Sequence, residues 1–248
     1  MGRWKLEIIR IWRTRRIIAL LAVFLIVGLL DPILVRYLAD LVGSNNANIT
    51  VTVPPPTPEA ALAQFGSSIA SVGTLVTVVV AAGSFTIDSR PALAAFYRSR
   101  VRKPTDLLLP RFLTVYVATC VALFLGIIAA WYETYVLIGP VQPGRLVIGF
   151  GFEALWTLLA IAVVALWSTA LRSVLAVVAW SIAILLVFSL ISMVHVLAPW
   201  SPSALSSSIG AVVSENSPGH FTGVSIISGT GALLLLAIAI SRLGKREP

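Results

Sequence analysis

Two carboxylate side chains inside apolar stretches are the residues of this chain best suited to chemistry. Asp31 and Glu153 each lie within a run long enough to cross a bilayer. Ionisable groups in such positions commonly contact substrates, ions or protons. Asp31 precedes Pro32, so it could instead cap a half-helix that starts where the proline breaks the backbone hydrogen bonding. Glu153 could face a watery cavity or make a structural hydrogen bond, and the sequence leaves these alternatives open.

Few other side chains could bind a metal or act as nucleophiles. The chain has one cysteine, Cys120, and two histidines, His195 and His220. This excludes an internal disulfide and leaves little for a histidine-based site. The patterns of a phosphate-binding loop, Gly-x-Ser-x-Gly and His-Glu-x-x-His are absent from the sequence. We therefore expect neither an enzyme nor a metal or other cofactor in this chain.

The composition points to an all-α membrane protein. Of the 248 residues, 58% are hydrophobic and only 11% are charged, whereas soluble domains carry about 25% charged residues. A bilayer core requires about 20 apolar residues in a helix. Six stretches come close to this length or exceed it, so we predict one transmembrane domain over residues 1–248, with helices at about 17–42, 64–87, 110–131, 146–171, 174–197 and 222–243.

Three segments outside these stretches have structure of their own. Residues 1–16 place Trp4, Ile8, Ile11 and Trp12 on one helical face, which predicts an amphipathic elbow helix in the membrane interface. Residues 88–109 form a basic loop after the second stretch. Residues 198–221 are too short and too polar for a full span, and we predict a re-entrant or interfacial outer segment there.

The positive charges predict the orientation. The chain has 18 Lys and Arg residues, and all except Arg36 and Arg145 fall on one side of the predicted spans. Because Lys and Arg accumulate in cytoplasmic loops, both termini are expected in the cytoplasm. The basic charge is then a signal of topology, and we expect no nucleic-acid partner.

The basic loop predicts a short helix between Pro91 and Pro104. Its apolar face would carry Leu93, Phe96, Tyr97 and Val101, with arginines beside it. Such a helix could rest on lipid or dock onto a soluble partner, and composition favours neither.

Three motifs give the chain a family resemblance. It resembles the permease subunits of ABC transporters of the type-2 (exporter) class, and the bacterial members most closely. The first motif is Gly28–Leu41, where Gly28, Leu29, Pro32 and Tyr37 coincide with the family pattern and Asp31 stands for its serine. The second is the loop from Asp88 to Lys103-Pro104, and the third is the proline-bearing segment Pro199–Leu205.

The resemblance implies partners and a mode of action. It implies a second permease, identical or paralogous, and two separate ABC ATPase subunits that carry ATP and Mg, in a bacterial plasma membrane. Substrate would pass between the permeases, and we expect a drug, an antimicrobial peptide or a lipid-like molecule. The depth of Asp31 and Glu153 makes them candidate pathway residues. Residues expected to couple to the ATPase are Arg90, Leu93, Phe96, Tyr97, Arg98, Arg100, Arg102 and Lys103.

Two other functions remain compatible with the sequence. A self-contained secondary carrier or channel would need no ATPase and would respond to ion gradients. A membrane scaffold would bind partners without moving a solute.

Overall fold

A computed structural model describes residues 3–43, 55–86, 105–194, 196, 200–214 and 218–245. Within these ranges the regular structure is entirely helical, without a β-strand. The helices in chain order are α1 (Arg3–Arg13), α2 (Arg16–Gly43), α3 (Pro58–Ser68), α4 (Thr74–Phe85), α5 (Thr105–Leu137), α6 (Pro143–Ala170), α7 (Val174–Ile191), α8 (Ser208–Val213) and α9 (Thr222–Lys245). A π-helical segment, Ile69–Gly73, joins α3 to α4, and 3-10 segments Pro202–Ser207 and Pro218–Phe221 flank α8.

Six helical stretches of the described chain are long and apolar enough to cross a membrane, which confirms the predicted all-α membrane fold. They are Arg16–Leu38, Pro58–Phe85, Leu108–Leu137, Pro143–Ala170, Val174–Ile191 and Thr222–Gly244. The tight hairpin between the fourth and fifth spans is also confirmed, because α6 ends at Ala170 and α7 begins at Val174.

The predicted break at Pro32 is wrong. Helix α2 continues through this proline to Gly43, so Asp31 lies in the helix interior and does not cap a half-helix. Pro32 removes one amide donor, and its ring crowds the carbonyl four residues earlier, at Gly28. Membrane helices tolerate this where neighbouring helices support the backbone. At Gly28, α5 packs so closely that a Cβ there would overlap the Gly126 carbonyl oxygen.

Three predicted span boundaries also differ from the structure, each by six residues. The third span ends at Leu137 rather than 131. The second span starts at Pro58 rather than 64, because the Thr57 side chain accepts a hydrogen bond from the Ala60 amide at 3.2 Å and Pro58 occupies the first helical position. The fifth span ends at Ile191 rather than 197. At 18 residues it is about 27 Å long, slightly shorter than the bilayer core of about 30 Å.

Helix α6 forms the centre of the bundle. It is the most buried of the six spans and contacts α4, α5, α7, α8 and α9. Its middle stretch, from Leu159 to Ala165, is almost completely buried. By contrast, α7 and α9 bury only about a fifth of their residues within this chain, so their outer faces are available to lipid or to another subunit.

Helix α1 forms the predicted elbow. Arg15 has a φ of 55° and turns the chain between α1 and α2. Ile11 is buried in the main core cluster, whereas Trp12 is 69% exposed. Of the predicted apolar face the structure describes two side chains, and these are divided: Ile11 packs on the bundle and Trp12 points away from it.

Candidate functional site

Asp31 lies about 22 Å along α2 from Arg16, at 1.5 Å per residue. The residue is only 9% exposed, and its carboxylate interacts with the side chain of Ser68 in α3. The other carboxylate oxygen, Oδ2, is buried without a hydrogen-bond donor among the described residues. A carboxylate withdrawn from water in this way lacks the charge compensation that burial demands.

The π-helical segment begins directly after Ser68. Its wider turns displace backbone carbonyls from their usual partners, and such segments are frequent at functional sites. Here side chains supply donors: the Ser71 hydroxyl lies 3.0 Å from the carbonyl of Ser67 and 3.2 Å from that of Ser68. On the opposite side, the Trp156 indole donates to the Thr74 hydroxyl at 3.1 Å. The segment therefore packs on α2 and ends next to Thr74 of α4, which is bonded to α6.

The second span presents an exposed face that changes from polar to apolar. Gln64, Ser67 and Ser71 are exposed in its first half, and Leu75 and Val79 are 50% and 46% exposed in its second. Their spacing of three or four residues aligns them on one side of the helix. We call these five residues the span-two stripe. The Ser71 hydroxyl donates to backbone carbonyls, but lipid tails offer no hydrogen-bond partner to Gln64 and Ser67, so this face suits a polar cavity or another subunit better than lipid.

Glu153 lies in the central helix, not on the exposed face. It is 1% exposed, and its Oε2 atom has no hydrogen-bond partner among the described residues. One turn earlier, a Cβ at Gly149 would lie 3.1 Å from the Ile209 Cα, so α8 packs closely there. Three residues later, Trp156 makes its bond to Thr74. The structure thus places Glu153 under the outer segment and inside the bundle.

The segment after α7 packs into the bundle. The hydroxyls of Ser201 and Ser203 donate to the Phe188 carbonyl at 2.8 and 3.0 Å, in the C-terminal turn of α7. The same carbonyl also accepts from the Ser192 amide at 3.3 Å, so the two hydroxyls add to the hydrogen bonds at the end of α7. Helix α8 then packs so closely on α3 that a Cβ at Gly210 would lie 2.7 Å from the Ala63 Cα. The assignment of this segment as an outer element, re-entrant or interfacial, stays a prediction.

A charged cluster holds the elbow at the opposite end of the bundle. Glu7 accepts a hydrogen bond from Arg111 Nε at 2.9 Å, and Arg10 lies 3.5 Å from the same carboxylate. Arg16 donates to the Ser84 hydroxyl at 2.7 Å. Arg111 is 1% exposed, so the elbow contact is fixed inside the bundle, at the start of the third span.

The predicted ATPase-coupling residues lie outside the described residues. These are Arg90, Leu93, Phe96, Tyr97, Arg98, Arg100, Arg102 and Lys103. The structure describes the ends of the loop that contains them, at Thr86 and Thr105. Among the described residues no group of three or more His, Cys, Asp or Glu side chains could hold a metal ion.

Sequence reasoning found the two carboxylates but missed the residues that surround Asp31. It did not identify Ser68 or the span-two stripe, although Gln64, Ser67 and Ser71 recur at helical spacing within an apolar run. That periodic polar pattern was the available signal. The structure does not bring Asp31 and Glu153 into one site. Asp31 borders the exposed stripe, and Glu153 lies in the helix beyond the π-helical segment.

The fold and these sites define the chain as a multi-pass helical membrane protein. No protein-family profile matches it, and no curated protein is detectably similar to it.

Proposed function

We propose that this chain is the membrane-spanning subunit of an ATP-driven ABC exporter. In this proposal it forms the substrate pathway with a second permease and couples to separate ATPase subunits in a bacterial plasma membrane. The cargo is a drug, an antimicrobial peptide or a lipid-like molecule. The observation that carries the proposal is the elbow helix joined to the third span by the Glu7–Arg111 bond, within a bundle of six spans.

This contact provides a route for mechanical coupling. The basic loop with the predicted ATPase-docking residues leads directly into α5, and Arg111 lies in the second turn of that helix. Glu7 fixes α1 to the same turn. Further along α5, Gly126 packs against Phe24 of α2, where a Cβ would lie 2.8 Å from the Phe24 carbonyl oxygen. A movement of the loop would therefore displace α5, α1 and α2 together, as a two-state coupling element requires.

The first experiment is affinity purification of the full chain from its native host in mild detergent, followed by identification of co-purifying proteins. A stoichiometric ATPase with a phosphate-binding loop is the expected result. A second permease in the preparation would distinguish a heterodimer from a homodimer. Recovery of the folded chain alone would contradict the proposal.

The second experiment tests the docking loop. Reversing two charges, Arg98→Glu with Arg102→Glu, should abolish stimulation of the ATPase by cargo and stop transport, while membrane insertion continues. The matched control reverses two exposed charges on the same predicted side, Arg172→Glu with Arg242→Glu, and should transport normally. Full transport by the loop variant at normal expression would refute the docking assignment.

One observation favours a second candidate function. Asp31 and Glu153 each have a buried carboxylate oxygen without a described partner, and carboxylates at membrane depth commonly lie on ion pathways or in proton relays. A self-contained secondary carrier would transport solute in response to an ion gradient without ATP. Reconstitution of the chain alone into vesicles, with and without a pH or sodium gradient, separates this candidate from the exporter.

A further inference from the structure

We propose that Asp31 and the span-two stripe bind an amphiphilic cation, with its charged head at Asp31 and its apolar tail along Leu75 and Val79. The inference deepens the proposed function and rests on it only for the direction of transport. Binding itself depends on residues of this chain.

The charge of the site identifies the sign of the ligand. Asp31 Oδ2 has no donor, and Asp31 forms no ion pair with a described residue. The nearest cation along the helix, Arg36, is exposed, and its guanidinium lies over the Tyr37 ring at 5.8 Å. An ionised carboxylate in an apolar environment is stable only with a positive partner or a full set of donors. A cationic head would supply the missing positive partner.

The stripe identifies the shape of the ligand. Its polar half, from Gln64 to Ser71, spans about 10 Å, and its apolar half, from Ser71 to Val79, spans about 12 Å at 1.5 Å per residue. Ser68, which holds Asp31, follows Ser67 in the polar half. A head group with hydrogen-bonding capacity fits the first half, and an alkyl or aromatic tail fits the second. A large hydrophilic cargo would leave Leu75 and Val79 without an apolar contact.

Binding of decyltrimethylammonium tests the proposal directly. The full chain, with any proteins that co-purify, is placed in phosphatidylcholine nanodiscs, and binding is measured by calorimetry below the micellar concentration. Empty nanodiscs give the partitioning background. Saturable binding of this cation is expected. Decyl sulfate, which has the same tail and the opposite charge, should show only the background.

Four variants separate charge, shape and fold. Asp31→Asn keeps an oxygen that can accept from Ser68, so it should fold normally and weaken binding by at least about tenfold, the scale of losing a buried ion pair. Asp31→Glu restores the charge and should recover binding in part. Ser67→Leu fills the polar half and should also weaken binding. Glu59→Gln removes an exposed charge at the outer end of the same span and should bind like the wild type.

Four results would overturn the inference. The first is equal binding of the cation and the anion, and the second is unchanged binding in the Asp31→Asn variant. The third is a loss of binding in the Glu59→Gln variant as large as that in Asp31→Asn. The fourth is a change of oligomeric state in the Ser67→Leu variant with binding unchanged, because the stripe would then be a subunit interface. The experiments distinguish failure of the two proposals. Asp31-dependent binding of the cation without a co-purifying ATPase contradicts only the proposal of an ABC exporter. A co-purifying ATPase without binding of the cation contradicts only the proposal of a cationic ligand.

Discussion

Replacing Gly28 by alanine should destabilise the bundle at the crossing of α2 and α5. The added Cβ would overlap the Gly126 carbonyl oxygen and lie 3.2 Å from the Ala129 Cβ. The first obstacle is backbone, so the two helices must separate. Overpacking of this kind costs about 1–3 kcal/mol. Because the obstacle is backbone, we take the upper part of this range, about 2–3 kcal/mol. Alanine regains about 1 kcal/mol of helix propensity over glycine, so the net expectation is a loss of about 1–2 kcal/mol.

A second glycine in a membrane helix provides the matched control. Gly229 in α9 has no atom within 4 Å of its added Cβ, so Gly229→Ala should be neutral or slightly stabilising. The assay is the melting temperature of each purified variant in the same mild detergent, read from the loss of the monodisperse peak on size-exclusion chromatography. For a chain of this size about 1 kcal/mol corresponds to about 2–4 °C. Gly28→Ala should therefore melt about 2–8 °C lower than wild type.

A partner substitution tests the cause. A Cβ at Gly126 would lie 2.8 Å from the Phe24 carbonyl oxygen, so Gly126→Ala should also lower the melting temperature. The double variant should lose less than the sum of the two, because helices that one methyl group has separated leave room for the second. Equal melting of the Gly28→Ala and Gly229→Ala variants would refute the assignment of a close helix crossing.

Two further predictions concern buried charges at opposite positions of the bundle. Glu7→Gln removes the charge that faces the buried Arg111. It should lower the free energy of unfolding by about 1–3 kcal/mol, because a buried cation loses a counter-charge, and proteolysis of α1 should become faster. Unchanged melting and proteolysis would contradict a structural elbow contact. Glu153→Gln keeps the shape of a side chain whose Oε2 has no described partner. The variant should melt at the same temperature as the wild type or higher, and its response to cargo should change. A clear fall in melting temperature would reveal a partner that the Glu153 charge requires.

The sequence predicted the number and approximate positions of the six spans because the bilayer imposes a local requirement. About 20 consecutive apolar residues are needed at each crossing, and this can be counted without knowing which helices touch. The short turn at Arg172 and Ser173 and the elbow before the first span followed from equally local signals. The orientation of the termini, the ATPase partners and the role of the basic loop stay predictions.

Two of the differences concern signals in the backbone. Pro32 was expected to end a helix, but α2 continues through it and packs on α5. The start of the second span was placed too late because the apolar count outweighed the capping signal of Thr57 and Pro58. In both cases an interaction of the backbone, rather than the hydropathy of the side chains, decided the boundary.

The sequence by itself determined that two carboxylates lie at membrane depth, and the tertiary structure decided that they have different surroundings. Helical periodicity gives the side of a helix on which a residue lies, but only packing decides which sides are covered. Helix α6 is surrounded by neighbours, so Glu153 is enclosed, whereas no helix of the described chain covers Gln64, Ser67 and Ser71 beside Asp31. The difference arises from contacts between residues far apart in sequence, which no local pattern encodes.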